Sequence, residues 1–264
     1  MYYSLINSMN KTVAPSYTAR TSAFATATGI TDVTILGALN TFDLGLISNS
    51  LDTKMKALYP FVGSTSTTQK YNFMDSRDLD IAFRLQFFGG GTFSSNGYQP
   101  NGTNGYANTF LNPTTNLTLN SVSFGVYSRT NSTQGAYGVL QYDQNLFQNN
   151  IGAGNFVIGN YNVGYITYTQ SPSTRMLMAT RRSSNDFQAY RNGTSLGTDT
   201  SSSSTNVNGN FYFGARNRSD TATTDSFSNH ELAFSFIGNA LTNQNCIDLT
   251  NLVNTLQTSL SRNV

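Results

Sequence analysis

Groups that titrate near neutral pH are almost missing from this chain. Its 264 residues hold one glutamate (Glu231), one histidine (His230), one cysteine (Cys246) and no tryptophan. Most hydrolytic chemistry needs a paired carboxylate, a histidine-assisted nucleophile or a cluster of metal ligands. His230 and Glu231 are adjacent, so on a strand they would point to opposite faces. A single cysteine excludes an internal disulfide. Charged residues make up 11%, against about 25% in an ordinary soluble domain. No lysine or arginine stripe is present, which disfavours nucleic-acid binding. No apolar run reaches the ~18 residues of a membrane span. The opening Met1 to Asn7 lacks the basic and apolar regions of a signal peptide, so synthesis in a cytoplasm is expected. These absences lead to an expectation of a binding or structural protein. No catalytic residue, metal, cofactor, nucleic-acid partner or membrane insertion is expected.

What the chain does have is amides, hydroxyls and aromatic rings. Asn, Ser and Thr together reach about 37%, with 22 Gly, 18 Phe and 15 Tyr, at a net charge of +2. That mixture suits strands with polar faces joined by Asn/Gly turns. It also suits a particle protein packed among other proteins, where lone charges are costly to bury. Six Asn-x-Ser/Thr triplets, beginning at Asn10, Asn101, Asn116, Asn131, Asn192 and Asn217, are what such a composition produces by chance.

Three regions are expected: an N-terminal arm at 1–21, a helical segment at 22–60 and a β-sandwich with a C-terminal helix at 61–264. The arm is polar and unpatterned, and reads as a free tail or as a segment that orders against a partner. Thr31 or Asp32 can cap a helix carrying Val33, Ile35, Leu36 and Leu39. Asp52 to Leu58 predicts a second helix, ended by Pro60. From residue 69 the period changes to two. Leu79, Ile81, Phe83, Leu85 and Phe87 alternate with Asp80, Ala82, Arg84, Gln86 and Phe88, which predicts one strand with one buried face. Gly89-Gly90-Gly91 should end it, and a long loop should follow to Pro113. Further strands are expected at 119–128, 136–142, 155–159, 163–169, 195–199, 211–215 and 231–237. Residues 175–181 and 187–191 form a hairpin, and Asn192-Gly193 marks a tight turn after it. Cys246, Leu249, Leu252, Val253, Leu256 and Leu260 make one apolar stripe on a final helix, capped by Thr242 or Asn243. Many short strands edged by helices predict a mainly β jelly-roll sandwich.

The hairpin Met176–Arg191 with Asn192-Gly193, and the pair Phe211–Gly214 and Leu232–Gly238, resemble a concanavalin A-like or laminin-G-like sandwich. Lys54 to Pro60 followed by Asp75 to Arg84 is more specific. So are Ser95-Asn96-Gly97, Asn101 to Ala107, Phe110 to Pro113, and the ending Phe236 to Thr242. Together these stretches resemble lectin-like domains of tailed-bacteriophage virion proteins, over roughly residues 50–264. The resemblance implies a head or tail fibre, or a decoration subunit, localised to the virion. Its implied partners are other virion proteins, further copies of the chain (a trimer among the options) and a host-surface glycan. A glycan-binding module of a non-virion adhesion protein is the other reading.

Residues 93–112 are the best surface candidate, with Tyr98, Asn104 and Tyr106 as ligand contacts; packing over the sheet or against another subunit is the competing use. Tyr161, Tyr165 and Tyr168 could stack on sugars or simply line a strand face. Asp78 and Asp80 share same-face spacing, but Arg77 and Arg84 beside them point to local ion pairs. With Asp75 they could also supply oxygens to calcium. Arg181 and Arg182 read as solvated strand-end residues, His230 as a satisfied structural histidine, and Cys246 as buried and inert.

Overall fold

Thr18 opens the first helix by accepting a hydrogen bond from the Thr21 N–H. In the computed structural model, residues 16–130, 140–142, 145–150, 155–159, 165–168, 174–203, 208–218 and 221–264 are described. Helix α1 (Ala19–Thr28) ends at Gly29. Helix α2 (Val33–Ser48) is capped by Asp32, whose carboxylate accepts from the Thr34 and Ile35 N–H groups. Its buried positions Leu36, Leu39, Phe42, Asp43 and Leu46 recur at three-to-four spacing, the stripe a packed helix needs. Asp43 accepts a hydrogen bond from the Thr18 hydroxyl at 2.6 Å and pairs with Arg20, tying α1 to α2. Residues 19–21 thus belong to a helix rather than to the arm, whose first fifteen residues lie outside the described ones.

The second predicted helix is a strand, β1 (Met55–Tyr59), paired antiparallel with the last strand through Leu58↔Phe236 and Tyr59↔Ser235. Long-range pairing overrides the local pattern there. A short helix α3 (Ser66–Gln69) follows, held by a Thr65/Thr68 capping box.

The predicted strand at 79–88 is only half formed. Asp80–Ala82 is a 3₁₀ turn, Phe83 adopts φ 59°, and only β2 (Gln86–Phe88) is extended. Leu79 and Ile81 are 48% and 76% exposed. Lys70 bonds Asp78 and Arg84 bonds Asp80, while Asn72 Nδ2 donates to the Ala82 carbonyl. These contacts fix the turn, and the alternation takes hold only from Leu85.

The expected loop to Pro113 contains three short strands, β3 (Gly91–Ser94), β4 (Gly97–Pro100) and β5 (Tyr106–Asn108), and leads into the short α4 (Pro113–Asn116). The remaining strands are β6 (Val122–Ser128), β7 (Leu140–Tyr142), β8 (Asn145–Asn150), β9 (Asn155–Gly159) and β10 (Tyr165–Tyr168). Then come β11 (Arg175–Ser183), β12 (Asp186–Arg191), β13 (Thr194–Asp199), β14 (Tyr212–Phe213), β15 (Arg216–Arg218), β16 (Thr223–Asp225) and β17 (Leu232–Gly238). Asn192 and Gly193, at φ 48° and 80°, make the tight turn between β12 and β13. Both have the positive φ of a type I′ hairpin.

Among the described residues one sheet runs β13-β12-β11-β6-β17-β4-β3, with β1 also against β17. A second runs β10-β9-β8-β7-β14-β5-β2, and β15-β16 form a ribbon. Strands β6 and β17 are buried along their whole length, because each face of the first sheet meets a different core. Val122, Phe124, Val126, Leu177, Ala179, Ala107 and Phe213 fill the space between the sheets. Tyr127, Met176, Met178, Phe234 and Phe236 meet the helices on the other side. A full side-chain burial contributes about 1.5–3 kcal/mol for each large apolar residue.

Helix α5 (Asn243–Ser259) starts at a Thr242/Asn245 capping box and buries Cys246, Leu249, Val253 and Leu256. Leu252 reaches Gly45 of α2, where an added Cβ would lie 2.3 Å from Leu252 Cδ2. Arg181 departs from its expected solvated place. It is wholly buried, lies over the Phe187 ring at 5.3 Å and donates to the Ser184 carbonyl at 2.8 Å. The architecture is a mainly β, antiparallel jelly-roll-like sandwich, with α1, α2 and α5 layered on one sheet.

Candidate functional site

Tyr98, Asn104 and Tyr106 fall in three different environments. Tyr98 lies on β4, 1% exposed, with its ring against Phe87 at 4.8 Å and Phe93 at 5.1 Å. Its hydroxyl is buried without a hydrogen-bond partner among the described residues, and burial raises its pKa. Tyr98 is a core residue, and its place as a surface contact is withdrawn. The β3–β4 hairpin turns its side chain inward, a parity that a loop reading hides.

Asn104 is exposed, in the turn from Asn101 to Gly105. Asn101 Oδ1 accepts from the N–H groups of Thr103, Asn104 and Gly105. Asn104 Oδ1 accepts from Gly90 N at 3.1 Å and Asn101 Nδ2 at 2.8 Å. Its oxygen therefore holds the turn, while its amide nitrogen makes no hydrogen bond among the described residues. Glycine is needed for close approach here: a Cβ at Gly105 would sit 1.8 Å from the Gly90 carbonyl oxygen.

Tyr106, half-buried on β5, is the centre of an aromatic strip. It stacks on Phe88 of β2 at 4.9 Å with planes 14° apart, and on Tyr212 of β14 at 4.9 Å and 23°. Phe227 lies 6.4 Å away. Sheet register makes the strip: Phe88 pairs with Tyr106, while Tyr212 and Gln86 both pair with Asn108. Neighbours Ala107 and Phe213 point into the core, so the strip and its amides share the outer face. Burial, then the neighbouring Tyr106, raise the Tyr212 pKa. Phe88 ends the strip on the edge strand, 37% exposed. Sequence reasoning missed Phe88, Tyr212 and Phe227 as site residues. Phe88 carried one signal, an aromatic ring on the polar parity of its segment.

The acidic residues are engaged. Arg77 Nε donates to Asp75 at 2.8 Å, and the guanidinium holds the Asp75 carboxyl below its usual range. Asp78 meets Lys70 and Arg84, and Asp80 meets Arg84. Glu231 bonds Arg129 at 3.0 Å. Among the described residues, no group of three or more His, Cys, Asp or Glu could hold a metal. His230 is 1% exposed; its Nδ1 meets Ser128 Oγ at 3.0 Å and its Nε2 has no partner among the described residues. It is thus half-satisfied, and burial lowers its pKa to about 4. Cys246 is buried, and desolvation pushes its thiol up to about 12. The side chains of Tyr161, Tyr165 and Tyr168 lie outside the described residues.

No family model and no curated protein matches the chain. Solved structures do. A Trypanosoma rangeli sialidase in complex with a difluoro-KDN compound aligns at a TM-score of 0.54 and 8% identity, over 81% of this chain and 39% of that one. The binding domain of botulinum neurotoxin serotype D aligns at 0.50 and 10%, over 77% and 53%. Botulinum neurotoxin type C, which depends on interaction with two ganglioside molecules to enter cells, aligns at 0.50 and 12%, over 80% and 53%. The chain spans about half the length of these toxin structures. At such identities the likeness is one of fold, a β-sandwich.

Proposed function

We propose that this chain is a non-enzymatic recognition subunit whose sandwich binds saccharide on the Phe88–Tyr106–Tyr212 face. The observation that carries this reading is the stacked strip itself, flanked by the amides Gln86, Asn104 and Asn108. Rings with an apolar body and a polar tip suit the C–H faces of sugars, and amides suit their hydroxyls. The saccharide links of the sialidase and the type C toxin support the same reading by fold analogy. The non-enzymatic part is supported by the carboxylates of Asp75, Asp78, Asp80 and Glu231, each tied to a cation.

The setting we propose is a tailed-phage particle, with the chain as a fibre or decoration subunit, oligomeric and packed against other virion proteins. The resemblance over residues 50–264 and the low charge support it. A glycan array of host capsule and wall saccharides tests the binding. The chain should bind, and Tyr106→Ala should weaken binding about tenfold; an array with no signal overturns the saccharide reading. Mass spectrometry of purified particles tests the setting, and absence of the polypeptide leaves the non-virion adhesion module.

A further inference from the structure

We infer that a cleft around Arg191, at one end of the sandwich, binds the carboxylate of an acidic sugar residue. This deepens the proposed saccharide recognition at a second place, away from the aromatic strip.

Arg191 ends β12, where it pairs with Leu177 of β11 on one side and Thr194 of β13 on the other. Leu177 points into the core between the sheets, and directly opposed residues share a face. Arg191 therefore lies where that core runs out toward solvent. Arg175, two residues before Leu177, stands at the same end of β11. A cleft of about 440 Å³ opens there, lined among others by Arg175, Arg191, Thr194, Leu196 and Val264. No Asp or Glu side chain lines it among the described residues.

Most of the arginines in ion pairs lie elsewhere. Arg20, Arg77, Arg84, Arg129, Arg182 and Arg216 each face a carboxylate. Among the described residues Arg191 faces none, and its guanidinium makes no hydrogen bond; the Nε is itself buried, so the Nη groups are the ones open to a ligand. An unmade hydrogen bond at a buried charged donor is expensive. Arg175 Nε already donates to the main-chain oxygen of Val264 at 2.7 Å, so Arg191 supplies the open donor. A guanidinium presents parallel N–H groups that match the two oxygens of a carboxylate. Thr194, which pairs with Arg191, supplies a hydroxyl for the sugar's own hydroxyls, whereas the Ser195 hydroxyl already accepts from Gln188 Nε2 at 3.0 Å. Arg175 holds φ 80°, a left-handed conformation costly for a side-chain-bearing residue and concentrated at functional sites.

Nuclear magnetic resonance of the full chain tests the cleft by following the Arg191 Nε–H signal. Glucuronate should shift that signal, and the neutral methyl ester of glucuronate should not. Arg191→Gln should weaken glucuronate binding about tenfold or more, and Arg191→Lys, which keeps the charge but loses the fork, should weaken it less. An unmoved Nε–H signal, an equal response to the ester, or phosphate bound as tightly as glucuronate would each overturn the assignment. The ester comparison uses the unaltered chain, so it stands even where a variant folds poorly. Loss of array binding in Tyr106→Ala reports on the aromatic strip alone, so the two sites fail or stand separately.

Discussion

Arg262 Nη1 donates to the carbonyl oxygen of Phe61 at 2.9 Å, joining residues 201 positions apart. Its Nη2 donates to Pro60 O and Ala233 O, both at 3.1 Å. Burial lowers the guanidinium pKa to about 9, so it stays charged at neutral pH. Arg262→Met should remove the donor from three buried carbonyls and cost about 3 kcal/mol or more. Urea unfolding should show this as a lower midpoint at unchanged slope. A variant as stable as the parent would mean that water or a shifted backbone replaces the guanidinium.

His230 should make stability depend on pH in one window. Its folded pKa is about 4 against an ordinary 6.5, through burial. Between these values the unfolded chain binds more protons than the folded one, so stability falls as pH falls. The loss begins near 6.5, levels off near 4 and reaches about 3 kcal/mol. His230→Gln should flatten that part of the profile in thermal melts at stepped pH. An unchanged slope in the variant would assign the effect to other groups.

Tyr98→Phe should leave glycan binding intact and hold or raise stability by about 1 kcal/mol. The variant removes a buried hydroxyl that has no partner, and such a group costs desolvation without return. Loss of binding on the array would put Tyr98 back at the ligand surface.

Gly97→Ala should destabilise strongly, by about 2 kcal/mol or more. Gly97 sits at φ 136°, and an added Cβ would lie 2.0 Å from the Leu232 carbonyl oxygen. Strand β4 cannot then lie beside β17. A melt unchanged from the parent would show that the turn relaxes freely.

What could be read from the sequence was what local chemistry decides. The hairpin from Arg175 to Arg191 shows alternation and ends in Asn192-Gly193, so its strands and the next turn were legible. The stripe from Cys246 to Leu256 behind Thr242 was equally plain. Illegible features depend on distant partners. Leu58 is extended because Phe236 pairs with it, and nothing near Leu58 says so. Leu79 and Ile81 satisfy the alternation, yet ion pairs around Asp78 and Asp80 bend their segment outward. Tyr106 was picked out as a ligand contact from its loop, but Phe88 and Tyr212 reach it only through cross-strand register. Tyr98 was misplaced because its hairpin was read as loop, and a loop carries no inside or outside.

Strand β17 lies between β6 on one flank and β1 and β4 on the other. A nascent chain that has not yet delivered residues 232–238 therefore carries a four-stranded piece, the β3–β4 hairpin and a lone β1, with bare edges and nothing to join them. Such edges invite pairing with other chains. Synthesis must pass residue 238 before the first sheet can close, so termination upstream of it yields a sticky fragment rather than a smaller working domain.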